Sequence, residues 1–139
     1  MSITIAAAFL LSTAVQANAF GNAATHEAQS GPAKIVFYRT GGFRGALVGC
    51  SIHEKGREIT HLSPNSTVSL AVSSGQHTYS SRDGASNLTI GLAVGETSYV
   101  RCKMIGLIAH PILEISDAEA FAQVSPRLTD KTPAPTEPH

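Results

Sequence analysis

The sequence predicts an all-β protein, an antiparallel sandwich of about seven or eight strands. Three observations lead there. Short runs alternate apolar and polar residues. Turn residues separate the runs at intervals of about 8–12 positions. No long stretch of helical periodicity interrupts them. Strand–helix–strand alternation, the mark of a parallel sheet, is also missing from the pattern.

The first strand is Ile35-Val36-Phe37-Tyr38, followed by the loop Gly41-Gly42-Phe43-Arg44-Gly45. Leu47 to Glu54 forms the second, with Val48, Cys50 and Ile52 on one face. Lys55-Gly56 is a two-residue turn, and Arg57 to Leu62 returns as the hairpin partner. Regular pairing across that turn sets Glu54 against Arg57, Ile52 against Ile59 and Cys50 against His61. After the break at Ser63-Pro64-Asn65, Val68, Leu70 and Val72 mark a half-buried strand. Ser74-Gly75 turns into Gln76–Arg82, and Asp83-Gly84 turns again. Leu88, Ile90, Leu92 and Val94 share the next inward face, before a turn at Gly95-Glu96. Thr97 to Met104 follows, with Val100, Cys102 and Met104 inward, and Ile112 to Ile115 closes the sheets. Ser116-Asp117-Ala118-Glu119 fits a capping box, which predicts a short helix over Asp117–Gln123.

The ends read differently. Ile3 to Val15 is apolar or small, and Ala17-Asn18-Ala19 resembles a signal-peptidase site cutting between Ala19 and Phe20. No Lys or Arg precedes the run, which departs from the usual signal pattern. The run is too short for a comfortable membrane span. The expected layout is a signal peptide over 1–19, a flexible leader over 20–32, the sandwich with its short helix over 33–125, and a disordered tail over 126–139. The tail holds four of the seven prolines. No Cys follows the cleavage site, which argues against a lipid anchor, so a periplasmic or secreted location is expected.

Ten basic and ten acidic residues leave the chain neutral, which argues against nucleic acid, whose binding needs clustered Lys and Arg. No basic amphipathic helix suggests a membrane-surface role. Cys50 and Cys102 are the only cysteines, and an even count in an exported chain suggests a disulfide. Two buried thiols are the alternative.

Five segments, in this order, resemble the family catalogued as domain of unknown function 2846, found in bacterial envelope proteins. They are Lys34 to Arg39, the hairpin Glu54 to Ile59, Ser74-Gly75-Gln76-His77-Thr78, Glu96 to Arg101, and Gly106 to Glu114 with His110-Pro111 inside. The resemblance covers about residues 33–120 and implies a sandwich like the PEGA and transthyretin-like domains. It implies no catalytic activity. Two departures stand out: many members carry a lipoprotein Cys, and the hairpin turn is usually Asp-Gly where this chain has Lys55-Gly56.

No residue set points to catalysis, a cofactor or a metal. His26, His53, His61, His77, His110 and His139 are scattered, without His-x-x-x-His or Cys-x-x-Cys spacing. No Gly-x-Ser-x-Gly elbow serves a hydrolase. The Gly41–Gly45 loop lacks the Lys-Ser or Lys-Thr of a phosphate loop. It reads as a plain connection or, through Phe43 and Arg44, as an interaction loop, since an aromatic and an Arg are common interface anchors. Met104 to Leu113 is nearly uncharged, and reads as core or as an exposed partner patch. The expected role is therefore a non-enzymatic module that contacts a protein partner in the cell envelope. A small-ligand or metal binder using His61, His77 or His110 is the alternative, and a hydrolase the third reading.

Overall fold

The computed structural model describes residues 31–134 except 44, 82, 83 and 85. The expected signal peptide, the Ala19/Phe20 cleavage site and most of the leader lie outside these residues. The first described strand, β1 (Pro32–Arg39), starts one residue inside the expected leader. It is followed by β2 (Cys50–Glu54), β3 (Arg57–Leu62), β4 (Ser66–Ser73), β5 (Gly75–Ser81), β6 (Asn87–Leu92), β7 (Thr97–Ile105) and β8 (His110–Ser116). Helix α1 (Ala118–Val124), a 3-10 turn (Ser125–Arg127) and a two-residue strand β9 (Thr129–Asp130) complete the described order.

The strands form two sheets, β8-β7-β1-β4-β9 and β3-β2-β5-β6. Their inner faces carry the alternating residues: Ala33, Ile35 and Phe37 from β1, Val100 and Cys102 from β7, and Cys50, Ile52, Leu62, Tyr79, Ile90 and Leu92 from the other sheet. This is the all-β sandwich that the alternation predicts. The first sheet is mixed rather than purely antiparallel. β1 runs antiparallel to β4 but parallel to β7, and β9 runs parallel to β4. A parallel neighbour far along the chain leaves no turn signal to read.

β1 is buried on both faces because α1 covers the outside of its sheet. Phe121 packs edge-on to Tyr38 at 5.2 Å and tilted on Tyr99 at 5.0 Å between ring centroids. The helix N-cap is Asp117, whose carboxylate accepts from the Ala120 amide at 2.6 Å. Ser116, the expected cap, ends β8 instead and shares a 2.6 Å hydrogen bond with the Tyr38 hydroxyl. The cap therefore sits one residue later than the capping-box pattern places it.

Three further expectations are corrected. A bulge at Ile52/His53 shifts the β2–β3 register, so Ile52 lies opposite Thr60 and Cys50 opposite Leu62. One extra residue exchanges the faces beyond it. Leu62 thereby turns into the core and His61 turns out against Ser51. Val94 leaves the β6 face for a turn closed by the Glu96 amide on the Ala93 carbonyl. Finally, residues 129–132 of the expected tail pair with β4, while residues 135–139 lie outside the described residues. The Thr129 amide donates to the Asn65 carbonyl at 2.8 Å, the Lys131 amide donates to the Thr67 carbonyl at 2.9 Å, and the Ser69 amide donates to Thr132 Oγ1 at 2.9 Å. The edge of β4 offers unpaired backbone groups, and the chain satisfies them despite its proline content.

The Cys50–Cys102 disulfide ties β2 to β7, and hence one sheet to the other. Both half-cystines are buried. The alternation had already placed both cysteines on inward faces.

Candidate functional site

One end of the sandwich carries the connections 40–49 and 106–109 side by side. The second is the β7–β8 hairpin turn, with Gly106 and Ala109 at positive φ. The first crosses between the sheets from β1 to β2. Gly45, at φ +75°, is where they meet: a Cβ there would lie 3.0 Å from Met104 Cγ and 3.2 Å from Ala109 Cβ. Only glycine takes that backbone shape without strain while allowing so close an approach.

Arg39 holds the first loop from within. It is the last residue of β1 and continues the inward face of Ile35 and Phe37, so its side chain enters the rim of the core at 3% exposure. Its guanidinium donates to the carbonyls of Val48, of Gly45 (2.5 Å) and of Leu62 (3.4 Å). Among the described residues no carboxylate pairs with it, and burial pushes its pKa down. Carbonyl dipoles stand in for the missing anion and satisfy its donors. From the other side, the Gly41 amide donates to Asn65 Oδ1 at 2.6 Å.

The loops held in this way present apolar side chains to solvent. Phe43 and Leu47 are 102% exposed, Leu107 97% and Ile108 79%. With Gly45, Ala46, Val48 and Ala109 they outline a shallow recess of about 390 Å³. A second recess, about 340 Å³, lies on the other side of Phe43 and is lined by Thr40, Gly41, Gly42, Arg39, Arg101 and Lys103 among others. Arg101 donates to Thr40 Oγ1 at 3.3 Å and lies 3.8 Å from Glu114, while its Nε is buried with no hydrogen-bond partner among the described residues. An apolar surface and a cationic one thus share the Phe43 ring. Exposed apolar clusters of this kind mark interaction sites in soluble domains.

No family model, curated protein or solved structure matches the chain.

Of the sequence-predicted contact residues, Phe43 stands at the centre of this tip, while Arg44 lies outside the described residues. The uncharged Met104–Leu113 run divides. Met104 and Leu113 pack in or against the core, whereas Leu107 and Ile108 face solvent next to Phe43. Arg39 was missed. Its signal was present, since a cation two residues beyond Phe37 on the same strand face must enter the core or end it.

The histidines do not gather. His61 shares a 2.9 Å hydrogen bond with Ser51 near the loop end of the second sheet. His77 lies toward the other end, with Nδ1 2.5 Å from Glu54 Oε1 and Nε2 2.7 Å from the Ser73 carbonyl. Two acceptors on one ring suit the doubly protonated imidazolium. The Glu54 hydrogen bond raises the His77 pKa most; burial opposes it, and the Ser73 carbonyl and the Glu54 charge reinforce it. Tyr79 stacks on His77, and burial with the Glu54 charge pushes its phenol up to about 12. Among the described residues no three His, Cys, Asp or Glu side chains are placed to hold a metal ion. Among the described residues no carboxylate is hydrogen-bonded to His61, the place that the orienting acid takes in a hydrolase triad. His26 and His139 lie outside the described residues.

Proposed function

We propose that the chain is a non-enzymatic, exported contact module of the cell envelope, and that it acts through the loop pair 43–48 and 106–109. The observation that carries this reading is the tip itself. Four large apolar side chains stand out on two loops, and the loops are fixed by Arg39, Gly45 and Asn65 rather than folded inward. Held in place, they lose little conformational entropy on meeting a partner. The disulfide supports an oxidising compartment, such as the periplasm or the extracellular space. Among the described residues no helix is long and apolar enough to cross a membrane. Kinship with domain of unknown function 2846, and with it a PEGA-like or transthyretin-like ancestry, belongs to the same proposal and rests on the order of the five segments.

A photo-crosslinking residue placed at Leu107 in cells making the full chain tests the reading. The expected result is a defined adduct from Leu107 and none from Lys55, which lies in the exposed β2–β3 turn at the opposite end. Equal labelling from the two positions would remove the case for a dedicated contact face.

A further inference from the structure

We propose that the partner of this tip is an anionic lipid surface, which the loops enter while the neighbouring cations meet the headgroups; the inference rests on the contact reading above. Three observations lead to it. The first is shape. Phe43, Leu47 and Leu107 are as exposed as free side chains and ring only a shallow recess, so they project from the tip. A projecting set of apolar side chains suits a fluid apolar phase, which needs no matching pocket. The second is charge. Residues 40–49 and 103–113 contain no Asp or Glu, whereas Lys103 and His110 lie within them and Arg101 lines the recess beside Phe43.

The third is polarity of the whole fold. The acids Glu54, Glu58, Glu96 and Asp117 lie at or beside the turns of the opposite end, among or next to residues 55–56, 93–96 and 117. The chain is neutral in total; these four acids lie at the end opposite the tip, while Glu114 lies 3.8 Å from Arg101 beside it. A tip so placed is drawn to a negative surface and turns these four acids from it. Apolar side chains of interfacial helices reach roughly 5–10 Å, to the boundary between headgroups and acyl chains, and the tip's side chains would enter to the same boundary. Arg101, Gly41 and Gly42 line the recess where a phosphodiester would sit beside Phe43.

The chain contains no Trp, so an introduced indole reports from one place. Full-length Leu107→Trp and, as the control at the far end, Lys55→Trp are mixed with vesicles of phosphatidylglycerol and phosphatidylcholine, or of phosphatidylcholine alone. Melting curves matching the unsubstituted protein establish that both variants fold. The expected result for Leu107→Trp is a blue shift and quenching by brominated acyl chains. The response should be strongest with the anionic vesicles and weakened by salt. Lys55→Trp should show neither effect, whatever the N-terminal segment does. Adding Phe43→Ser and Ile108→Ser should weaken vesicle binding by at least about tenfold.

No shift for Leu107→Trp, the same response with both vesicle types, or a matching response from Lys55→Trp would overturn the proposal. So would a blue shift that follows protein concentration without vesicles, since a second copy of the chain would then cover the tip. A protein adduct in the crosslinking experiment, with no vesicle response, would remove the lipid surface and leave the contact reading standing.

Discussion

Replacing Cys50 and Cys102 together by Ala removes the disulfide cross-link between the two sheets. The bridge closes a sequence separation of 52 residues. Chain-entropy arguments give about 2.1 plus 1.5R ln n entropy units for such a loop, which is about 4 kcal/mol at room temperature. Both positions are buried, so each Ala also leaves a small void, with a further cost of about 1 kcal/mol in total. For a domain of this size each kcal/mol moves the melting temperature by several degrees. The double variant should therefore melt about 15 °C or more below the oxidised protein. Thermal melts followed by circular dichroism measure this, and the reduced unsubstituted protein supplies a comparison without voids. If the reduced protein melted within about 3 °C of the oxidised form, the bridge would not be restraining the unfolded chain, and the entropic account would be wrong.

Arg39→Met removes the donors that the Gly45, Val48 and Leu62 carbonyls use, at a cost of about 3 kcal/mol. Proteolysis should then cut within residues 40–49 well before the rest of the domain, and an unchanged cleavage pattern would mean that the loop is held otherwise. Gly45→Ala puts a Cβ against Met104 and Ala109 in a left-handed backbone, so it should cost about 1–2 kcal/mol in denaturant titration. The His77 pKa is raised in the folded state, so its stabilisation is fully present below the unfolded value of 6.5 and is lost as pH rises through the folded value. His77→Gln should therefore destabilise at pH 5 and approach the unsubstituted protein at pH 9; a stability gap independent of pH would rule out the charged pair with Glu54. Phe121→Ala uncovers Tyr38 and Tyr99 and should cost about 2–3 kcal/mol, with early amide exchange in α1 as the local signature.

The strands were legible because each carries its own alternation. Ile35 and Phe37, Val100 and Cys102, and Ile90 and Leu92 all point where their spacing says. The Lys55-Gly56 turn was legible because both residues take positive φ, as a tight hairpin demands. What escaped reading was set by partners distant in sequence. The bulge that turns Leu62 inward depends on how β2 meets β3. The docking of residues 129–132 depends on an open edge of β4, which no feature of the proline-rich end announces. The tip shows the same division. Phe43 and the uncharged 104–113 run were each visible, but their adjacency rests on Gly45 meeting Ala109. Arg39 looked like an ordinary strand end until the carbonyls around it were placed.

The central position of β1 has a consequence for the order of assembly. Its partners are Ser66–Ser73 on one side and Thr97–Arg101 on the other. The first described strand thus waits, with one edge bare, until the chain has been supplied past residue 101. A domain so arranged does not mature piece by piece from its N-terminus. It closes late, when β7 slides in beside β1 and brings Cys102 within reach of Cys50. Chains stopped short of that point should remain substrates for chaperones and proteases, and bridge formation should report completion of the sheet rather than its beginning.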